Sequence, residues 1–136
     1  MKKILKTISI SLILGIVFLM FGCQDNSDPE TRSYSDYSHI ESLDDIITNK
    51  KTKTLYMYTN ECPYCLQIRS LVFDYADNHK SLSFIIRTQD IRDVLLEEFG
   101  IEIAYVPAIL VFKDGVLNAE TGFIWGTESI KAFLNK

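Results

Sequence analysis

"TKTLYMYTNECPYCLQIRS", residues 52–70, predicts a β-strand that runs directly into an α-helix, with two cysteines at the junction. Residues 52–59 are rich in β-branched and aromatic side chains, which is typical of a strand. Pro63 fits the first position of a helix, because the N–H that proline lacks has no partner there. The segment therefore places Cys62 at the start of the helix and Cys65 one turn further on.

The spacing of the two cysteines favours a reactive dithiol. Positions three residues apart lie on one helix face, so the sulfur atoms of Cys62 and Cys65 can meet. The first N–H groups of a helix carry about half a positive charge, which favours a thiolate at Cys62. A thiolate is the attacking species in disulfide exchange. We therefore expect Cys62 to be the nucleophile and the more buried Cys65 to resolve the mixed disulfide.

Two other interpretations of this pair are weighed against the dithiol. A zinc site needs about two more ligands, and the only histidines are His39 and His79. His79 lies at the far end of the predicted helix, roughly 25 Å from Cys62 at ~1.5 Å per residue. A purely structural disulfide would close a very short loop and restrain little of the unfolded chain. Redox chemistry is therefore the favoured interpretation, with no metal and no other cofactor predicted.

The residues after this segment predict an alternation of strands and helices. Three further strands are predicted, over residues 82–88, 108–113 and 116–123, with a hairpin turn at Asp114-Gly115. Capping residues are predicted for three helices: Ser42, Asp90 and Thr127, with Gly100 ending the second. Helices between strands predict parallel crossovers, and the hairpin adds an antiparallel edge. The fold class is therefore α/β.

A second segment, "YVPAILVFKDG" at residues 105–115, completes a resemblance to the thioredoxin-like superfamily. In that family a strand is followed by a Cys-x-x-Cys motif that opens a helix, and a later proline precedes a strand and a turn. The resemblance covers about residues 37–136. It implies a thioredoxin-like α/β fold, in which helices flank a central mixed sheet of four to five strands.

The resemblance also implies roles for particular residues. The two cysteines would be catalytic, with Pro63 and Tyr64 in the active-site loop between them. In the family the later proline is cis and lies against the cysteines, and the backbone of the preceding residue pairs with substrate peptide. These positions correspond to Pro107 and Val106. Tyr64, between two reactive cysteines, is expected to be exposed and to offer apolar contact to a client peptide.

The sequence departs from the family pattern in several places. Thioredoxins have tryptophan before the first cysteine, where this chain has Glu61, and its Cys-Pro-Tyr-Cys motif is that of glutaredoxins. Tyr56 occupies the position of the buried acid that is thought to deprotonate the resolving cysteine of thioredoxins. The Gly-Gly-Asp with which glutaredoxins bind glutathione is missing, so glutathione is not expected as a dedicated partner. No further cysteine after residue 65 could act as a shuttle.

The first residues resemble a bacterial lipoprotein signal rather than part of the fold. Three lysines precede an uncharged run over residues 8–22, which is shorter than the ~20 residues of a spanning helix. Residues 1–22 are therefore predicted to be a signal peptide, with Cys23 as the lipidated N-terminus of the mature chain; an uncleaved anchor is the alternative. The polar residues 23–38 are predicted to be a flexible tether, and residues 39–136 the thioredoxin-like domain.

The net charge and a further resemblance limit the functions and partners that we expect. Without residues 1–22, which hold three lysines, the chain has 18 acidic and 14 − 3 = 11 basic residues, a net charge of −7 that argues against nucleic acid as a partner. The chain also resembles membrane-tethered thioredoxin-like proteins of Gram-positive bacteria, some called bacteriocin accessory proteins. We expect a monomeric thiol–disulfide oxidoreductase outside the cytoplasm that acts on client proteins, with a membrane electron carrier as a candidate partner. The alternative is a binding or accessory module whose disulfide is structural.

Overall fold

The computed structural model describes residues 31–136. A 3₁₀ turn at Tyr34–Asp36 precedes five helices: α1 (Asp44–Thr48), α2 (Pro63–Gln67), α3 (Arg69–Asn78), α4 (Gln89–Phe99) and α5 (Thr127–Leu134). The strands are β1 (Lys53–Tyr58), β2 (Leu82–Ile86), β3 (Ala108–Lys113), β4 (Val116–Leu117) and β5 (Phe123–Trp125). Among the described residues, none of the helices is long and apolar enough to cross a membrane. The predicted signal peptide, Cys23 and the tether residues 23–30 lie outside the described residues.

The five strands form one mixed sheet in the order β2-β1-β3-β4, with β5 also paired to β3. β1 and β2 are parallel, whereas β3 is antiparallel to β1, with Tyr56 opposite Ile109. β4 and β5 both run antiparallel to β3. The predicted α/β class, with a mixed sheet of four to five strands flanked by helices, is therefore confirmed.

The predicted parallel crossover into β3 is wrong, and the connection before β3 gives the reason. Residues 100–107 contain neither helix nor strand. Eight extended residues can span about 26–29 Å, which exceeds the ~20 Å length of a six-residue strand. The connection therefore carries the chain back along the sheet, burying Ile101 and Ile103 on the way. As a result β3 starts beside the end of β1, where Ala108 lies opposite Met57.

Each face of the sheet has its own apolar cluster. Along β1, Leu55 and Met57 belong to one cluster, whereas Tyr56 and Tyr58 belong to the other. This alternation follows from the pleat, since successive side chains of a strand point to opposite faces. Residues of α2, α3 and α5 cover the tyrosine face, and residues of α1 and α4 cover the opposite face. Because both faces are covered, the last four residues of β1, Leu55 to Tyr58, are all apolar or aromatic and all buried.

The helix ends differ in detail from the predicted caps. Thr88, not Asp90, is the N-cap of α4, and its side chain accepts a hydrogen bond from the backbone of the first turn. Thr127 is the first residue of α5 rather than its cap. Leu43, not Ser42, is the N-cap of α1, although the Ser42 hydroxyl accepts a hydrogen bond from the Asp44 N–H at 3.1 Å. Gly100 ends α4 in the left-handed conformation, with φ of 66°, as predicted.

The strand predicted over residues 116–123 is split into β4 and β5 by a loop. The side-chain oxygen of Asn118 accepts hydrogen bonds from the N–H groups of Glu120 and Thr121, at 2.9 and 3.0 Å. Such local bonds offer the backbone a turn in place of a strand ladder. The helix after the cysteines is also interrupted, because α2 and α3 meet at Ile68 instead of forming one helix.

The domain begins earlier than the predicted boundary at residue 39. The compact unit spans Thr31–Lys136. Tyr34 is only 8% exposed, and its ring stacks on Tyr58 with centroids 3.9 Å apart. Residues 31–38 therefore belong to the domain, and their assignment to a flexible tether is corrected. The polar composition is misleading here, because tyrosine supplies the apolar surface that packs and the polar neighbours face solvent.

The segment after Tyr34 also covers an edge of the sheet. His39 forms a parallel bridge with Phe84 of β2. The Phe84 N–H donates to the Ser38 carbonyl at 2.8 Å, and the Ile40 N–H donates to the Phe84 carbonyl at 2.9 Å. The outer side of β2 is thus partly paired by the chain itself.

Candidate active site

The structure brings the two cysteines together at the end of β1 and the start of α2. Cys62 and Cys65 form a disulfide with their Cα atoms 5.2 Å apart. Cys62 is the N-cap of α2, and its Sγ accepts a hydrogen bond from the Cys65 N–H at 3.1 Å. Pro63 is the first helical residue, as predicted. A sulfur that accepts from a backbone N–H at a helix start is placed to carry negative charge once the disulfide is reduced.

The proline loop lies directly against this disulfide. The Val106–Pro107 peptide bond is cis, as the resemblance implies. The Sγ of Cys62 is 3.3 Å from the carbonyl oxygen of Val106. In the reduced protein a Cys62 thiol can donate to this oxygen, whereas a thiolate cannot. The proline loop therefore lies in direct contact with the Cys62 sulfur.

The two sulfurs face different environments. Cys65 is fully buried and Cys62 is 7% exposed, which agrees with the expected order of accessibility. Behind Cys65, the Tyr34 hydroxyl donates to the Cys65 carbonyl oxygen at 3.4 Å. Tyr58 stacks on Tyr34, and its hydroxyl lies 2.7 Å from the Nε2 of His39. The interior side of the dithiol is therefore lined by aromatic rings.

Tyr56, which replaces the family's buried acid, is a neutral group in this structure. Its side chain is fully buried, and its hydroxyl has no hydrogen-bond partner among the described residues. Burial raises the pKa of Tyr56 far above its usual value, and the nearby Tyr34 raises it further. The hydroxyl therefore keeps its proton at any physiological pH, and Tyr56 brings no negative charge to the dithiol.

On the solvent side, an apolar groove lies beside the cysteine loop, at Tyr64. It has a volume of about 350 Å³, and its lining includes Tyr64, Tyr105, Val106, Pro107, Trp125 and Thr127. Tyr64 is 59% exposed, as expected for a residue between two reactive cysteines. The groove joins the cysteine loop, the proline loop and the end of β5 in one surface, which can hold an apolar group next to Cys62.

Sequence analysis did not single out three residues of this site. Tyr105 and Trp125 are 76% and 61% exposed beside Pro107, and Tyr34 lies behind Cys65. A signal for Tyr34 was available, since tyrosines are uncommon in flexible polar segments. Within residues 31–136, no three His, Cys, Asp or Glu side chains gather as a metal site requires.

Known protein structures resemble this chain in fold, but their sequences are only distantly similar to it. No protein-family model matches this chain, and neither does any curated protein sequence. The chain is similar to the crystal structure of oxidised mitochondrial thioredoxin 3 from Saccharomyces cerevisiae, with a TM-score of 0.56 and 17% identity over 76% of this chain and 96% of that one.

Two further solved structures agree. Thioredoxin O2 from Arabidopsis thaliana, in the oxidised state, has a TM-score of 0.50 and 15% identity over 74% of this chain and 93% of that one. A thioredoxin from Plasmodium falciparum has a TM-score of 0.51 and 15% identity over 72% and 96%. The chain therefore has a thioredoxin-like fold. Within that fold it has a disulfide-forming Cys-Pro-Tyr-Cys pair at the start of α2.

Proposed function

We propose that this protein is a membrane-tethered thiol–disulfide oxidoreductase that acts outside the cytoplasm on secreted or surface proteins. One observation carries the proposal: the Cys62–Cys65 disulfide opens α2, with the Cys62 sulfur against the Val106 carbonyl and beside an open groove. A thioredoxin-like fold with a cysteine pair able to form a disulfide supports the oxidoreductase class.

The chemistry is a pair of disulfide exchanges. In the reducing direction, the Cys62 thiolate attacks one sulfur of a client disulfide, and the other client sulfur leaves as a thiolate that takes up a proton. The Cys65 thiolate then attacks the Cys62 sulfur and releases the first client sulfur as a second thiolate. Two electrons pass to the client, and the chain is left as the Cys62–Cys65 disulfide. The oxidising direction is the same sequence reversed.

The direction that we propose is oxidation or isomerisation of client disulfides. The helix start and the Cys65 N–H favour a thiolate at Cys62, whereas the neighbouring Glu61 opposes it. Neutral Tyr56 adds no opposing charge from the interior. Stabilising the thiolate stabilises the reduced state, which makes the disulfide a better oxidant. A reductase kept reduced by a membrane electron carrier is the competing direction.

Location is the part of the proposal that rests on residues 1–23 alone. The basic start, the short apolar run and Gly22-Cys23 resemble a lipoprotein signal. We expect mass spectrometry of the mature protein to show a diacylglyceryl group on an N-terminal Cys23, and Cys23→Ser to release the protein from membranes or stall its processing. A mature N-terminus at Met1 or Lys2 would instead indicate an uncleaved anchor.

Single cysteine variants test the catalytic proposal. Cys62→Ser should abolish exchange, because it removes the attacking sulfur. Cys65→Ser should retain the first step and trap client proteins as mixed disulfides, which non-reducing gels and mass spectrometry would identify. Alkylation of the reduced protein at pH 6 should label Cys62 before Cys65. Faster labelling of Cys65 would reverse the assignment of nucleophile and resolving cysteine.

A binding module with a structural disulfide is the second candidate, favoured by the deep burial of Cys65. The two candidates differ in how readily the disulfide is reduced. An oxidoreductase should show two titratable thiols after mild reduction with dithiothreitol and should reoxidise with a model disulfide. A pair that stays oxidised under these conditions would support the binding module.

A further inference from the structure

Arg87 connects the two chain segments that meet at the Cys62 sulfur. It directly follows the last residue of β2, and its N–H donates at 2.9 Å to the carbonyl of Tyr58, the last residue of β1. Its guanidinium group donates to the carbonyl oxygen of Ala104, in the connection that leads to Pro107. One half-buried residue thus fastens this connection to the end of β1.

The length of the arginine side chain suits it to this contact. β1 lies between β2 and β3 in the sheet, so the Arg87 side chain crosses the end of β1 to reach the connection before β3. Neighbouring strands are ~4.8 Å apart, so a short side chain after β2 would not cover the distance. The planar guanidinium group also presents several N–H donors to a carbonyl oxygen at the end of this reach.

The contacts of Arg87 belong to a closed path that includes the reacting sulfur. On one side, a turn closed by the Cys62 N–H leads from the end of β1 to Cys62. On the other side, the chain runs from Ala104 to Val106, whose carbonyl oxygen lies 3.3 Å from the Cys62 sulfur. Residues 100–107 contain neither helix nor strand, so individual contacts such as that of Arg87 fix their position. Arg87 therefore influences how closely Val106 lies to the sulfur.

We propose that Arg87 is a positioning residue for disulfide exchange, because it holds the Val106 backbone beside the Cys62 sulfur. This inference rests on the proposed function, since it concerns the exchange reaction at Cys62. The residues on either side of a client cysteine each extend the chain by ~3.3 Å, so they come within reach of this backbone. A small thiol has no such residues. Arg87 should therefore matter for peptide clients and hardly at all for small thiols.

Arg87→Met tests this role, because methionine is also unbranched but lacks the donor and the charge. The oxidised full-length chain is mixed with a reduced octapeptide that contains two cysteines or, separately, with reduced dithiothreitol. In both reactions the two thiols become a disulfide and the Cys62–Cys65 disulfide becomes two thiols. The rate constant for the peptide should fall about fivefold, which corresponds to ~1 kcal/mol, the net contribution of one hydrogen bond. The rate constant for dithiothreitol should change by less than about twofold, because this thiol does not extend to Val106.

A second measurement locates the change in the connection before Pro107. Ala104 is exposed, so water can replace the lost donor and the domain should stay folded. Hydrogen–deuterium exchange should become about fivefold faster for the backbone N–H groups of residues 102–106 and stay unchanged in β1. Arg87→Lys keeps a cationic N–H donor and should restore most of the rate constant for the peptide.

Arg92→Met is the matched control. Arg92 is also half-buried, but its guanidinium group donates to the side chain of Gln89 within its own helix, α4, at 3.3 Å. The control should leave both rate constants unchanged, as well as hydrogen exchange in residues 102–106.

The outcomes separate this inference from the proposed function. A rate constant for the peptide that stays the same in Arg87→Met would overturn the inference and leave the oxidoreductase standing. Equal falls for the peptide and for dithiothreitol would also overturn it, because general damage to the site would then explain the loss. Failure of the unmodified chain to react with dithiothreitol would overturn the oxidoreductase itself, and with it the role of Arg87 in exchange.

Discussion

Two groups of aromatic side chains lie near the same disulfide, and one group is exposed to solvent whereas the other is buried. The groove aromatics, Tyr64, Tyr105 and Trp125, are all more than half exposed. The buried aromatic cluster, in which no ring is more than 8% exposed, consists of Tyr34, Tyr56, Tyr58, Phe73 and Phe84. The Cys62 sulfur lies 3.3 Å from the carbonyl oxygen of Val106, which lines the groove with the first group, whereas Tyr34 of the second group donates to the Cys65 carbonyl. Position relative to the sheet, rather than residue type, decides whether a ring stabilises the domain or remains available to a partner.

The largest difference between the two groups should be in stability. Tyr34→Ala should lower the free energy of unfolding by about 3–5 kcal/mol, because it deletes a buried ring that stacks on Tyr58. Tyr105→Ala should change it by no more than about 0.5 kcal/mol, because Tyr105 is exposed. Urea unfolding measures both, and Tyr34→Phe is the control that retains the ring. Equal losses for Tyr34→Ala and Tyr105→Ala would contradict the comparison.

The absence of a buried negative charge near the cysteines should raise the reduction potential of the Cys62–Cys65 disulfide. With no buried carboxylate at position 56, we expect a potential of about −210 mV, against roughly −270 mV for thioredoxin. The difference of ~60 mV corresponds to about 3 kcal/mol for a two-electron couple. Equilibration in glutathione buffers, followed by quantification of free thiols, gives the value. A potential at or below that of thioredoxin would rule out the oxidising direction and favour the reductase.

Alkaline pH should destabilise the buried cluster. Burial raises the pKa of Tyr56 in the folded state, whereas an unfolded tyrosine titrates near ~10. Above that pH the unfolded state loses a proton that the folded state keeps, so stability is fully present below pH ~10 and falls as pH rises further. Tyr56 alone should contribute a loss of about 1.4 kcal/mol per pH unit.

Urea unfolding at pH 9, 10 and 11 would measure this loss. Tyr56→Phe is the control, since phenylalanine has no proton to lose and its unfolding curve should depend less on pH. Identical pH profiles for the two proteins would assign the alkaline loss to other groups.

Removal of the Tyr56 hydroxyl should have the smallest effect on the free energy of unfolding at neutral pH. Because this buried hydroxyl has no partner among the described residues, Tyr56→Phe should stabilise the protein by about 1 kcal/mol. Tyr34→Phe should have the opposite sign, with a loss of up to about 1 kcal/mol, since the Tyr34 hydroxyl donates to the Cys65 carbonyl. A loss of stability in Tyr56→Phe would show that its hydroxyl is hydrogen-bonded after all.

Local segments were predictable from the sequence, and long connections were not. Residues 52–70 specify a strand, a turn and a helix start through neighbouring residues, and the position of both cysteines follows. The direction of β3 depends on the path of residues 100–107, which no local pattern describes. The N-terminal boundary was missed for a similar reason, since the packing of Tyr34 depends on a surface far along the chain.

The position of Trp125 could not be predicted from the sequence, because a short loop before it changes the pairing register of the strand. Lys113 lies opposite Val116 in the hairpin, so uninterrupted pairing would put Thr121 opposite Ala108. The loop at Asn118 shifts the pairing, and Trp125 lies opposite Ala108 instead. Trp125 is thereby paired with Ala108, the residue directly after Pro107. A sequence pattern with a continuous return strand predicts a different side chain at this place.

The edges of the sheet have a consequence for behaviour at high concentration. A long, unpaired edge strand is a template on which another chain can add and aggregate. Here the return strand beyond the hairpin is broken into pieces of two and three residues, and residues 38–40 occupy part of the outer side of β2. Within residues 31–136, neither edge presents a continuous row of free backbone groups. This arrangement therefore disfavours edge-to-edge association between copies of the domain at high concentration.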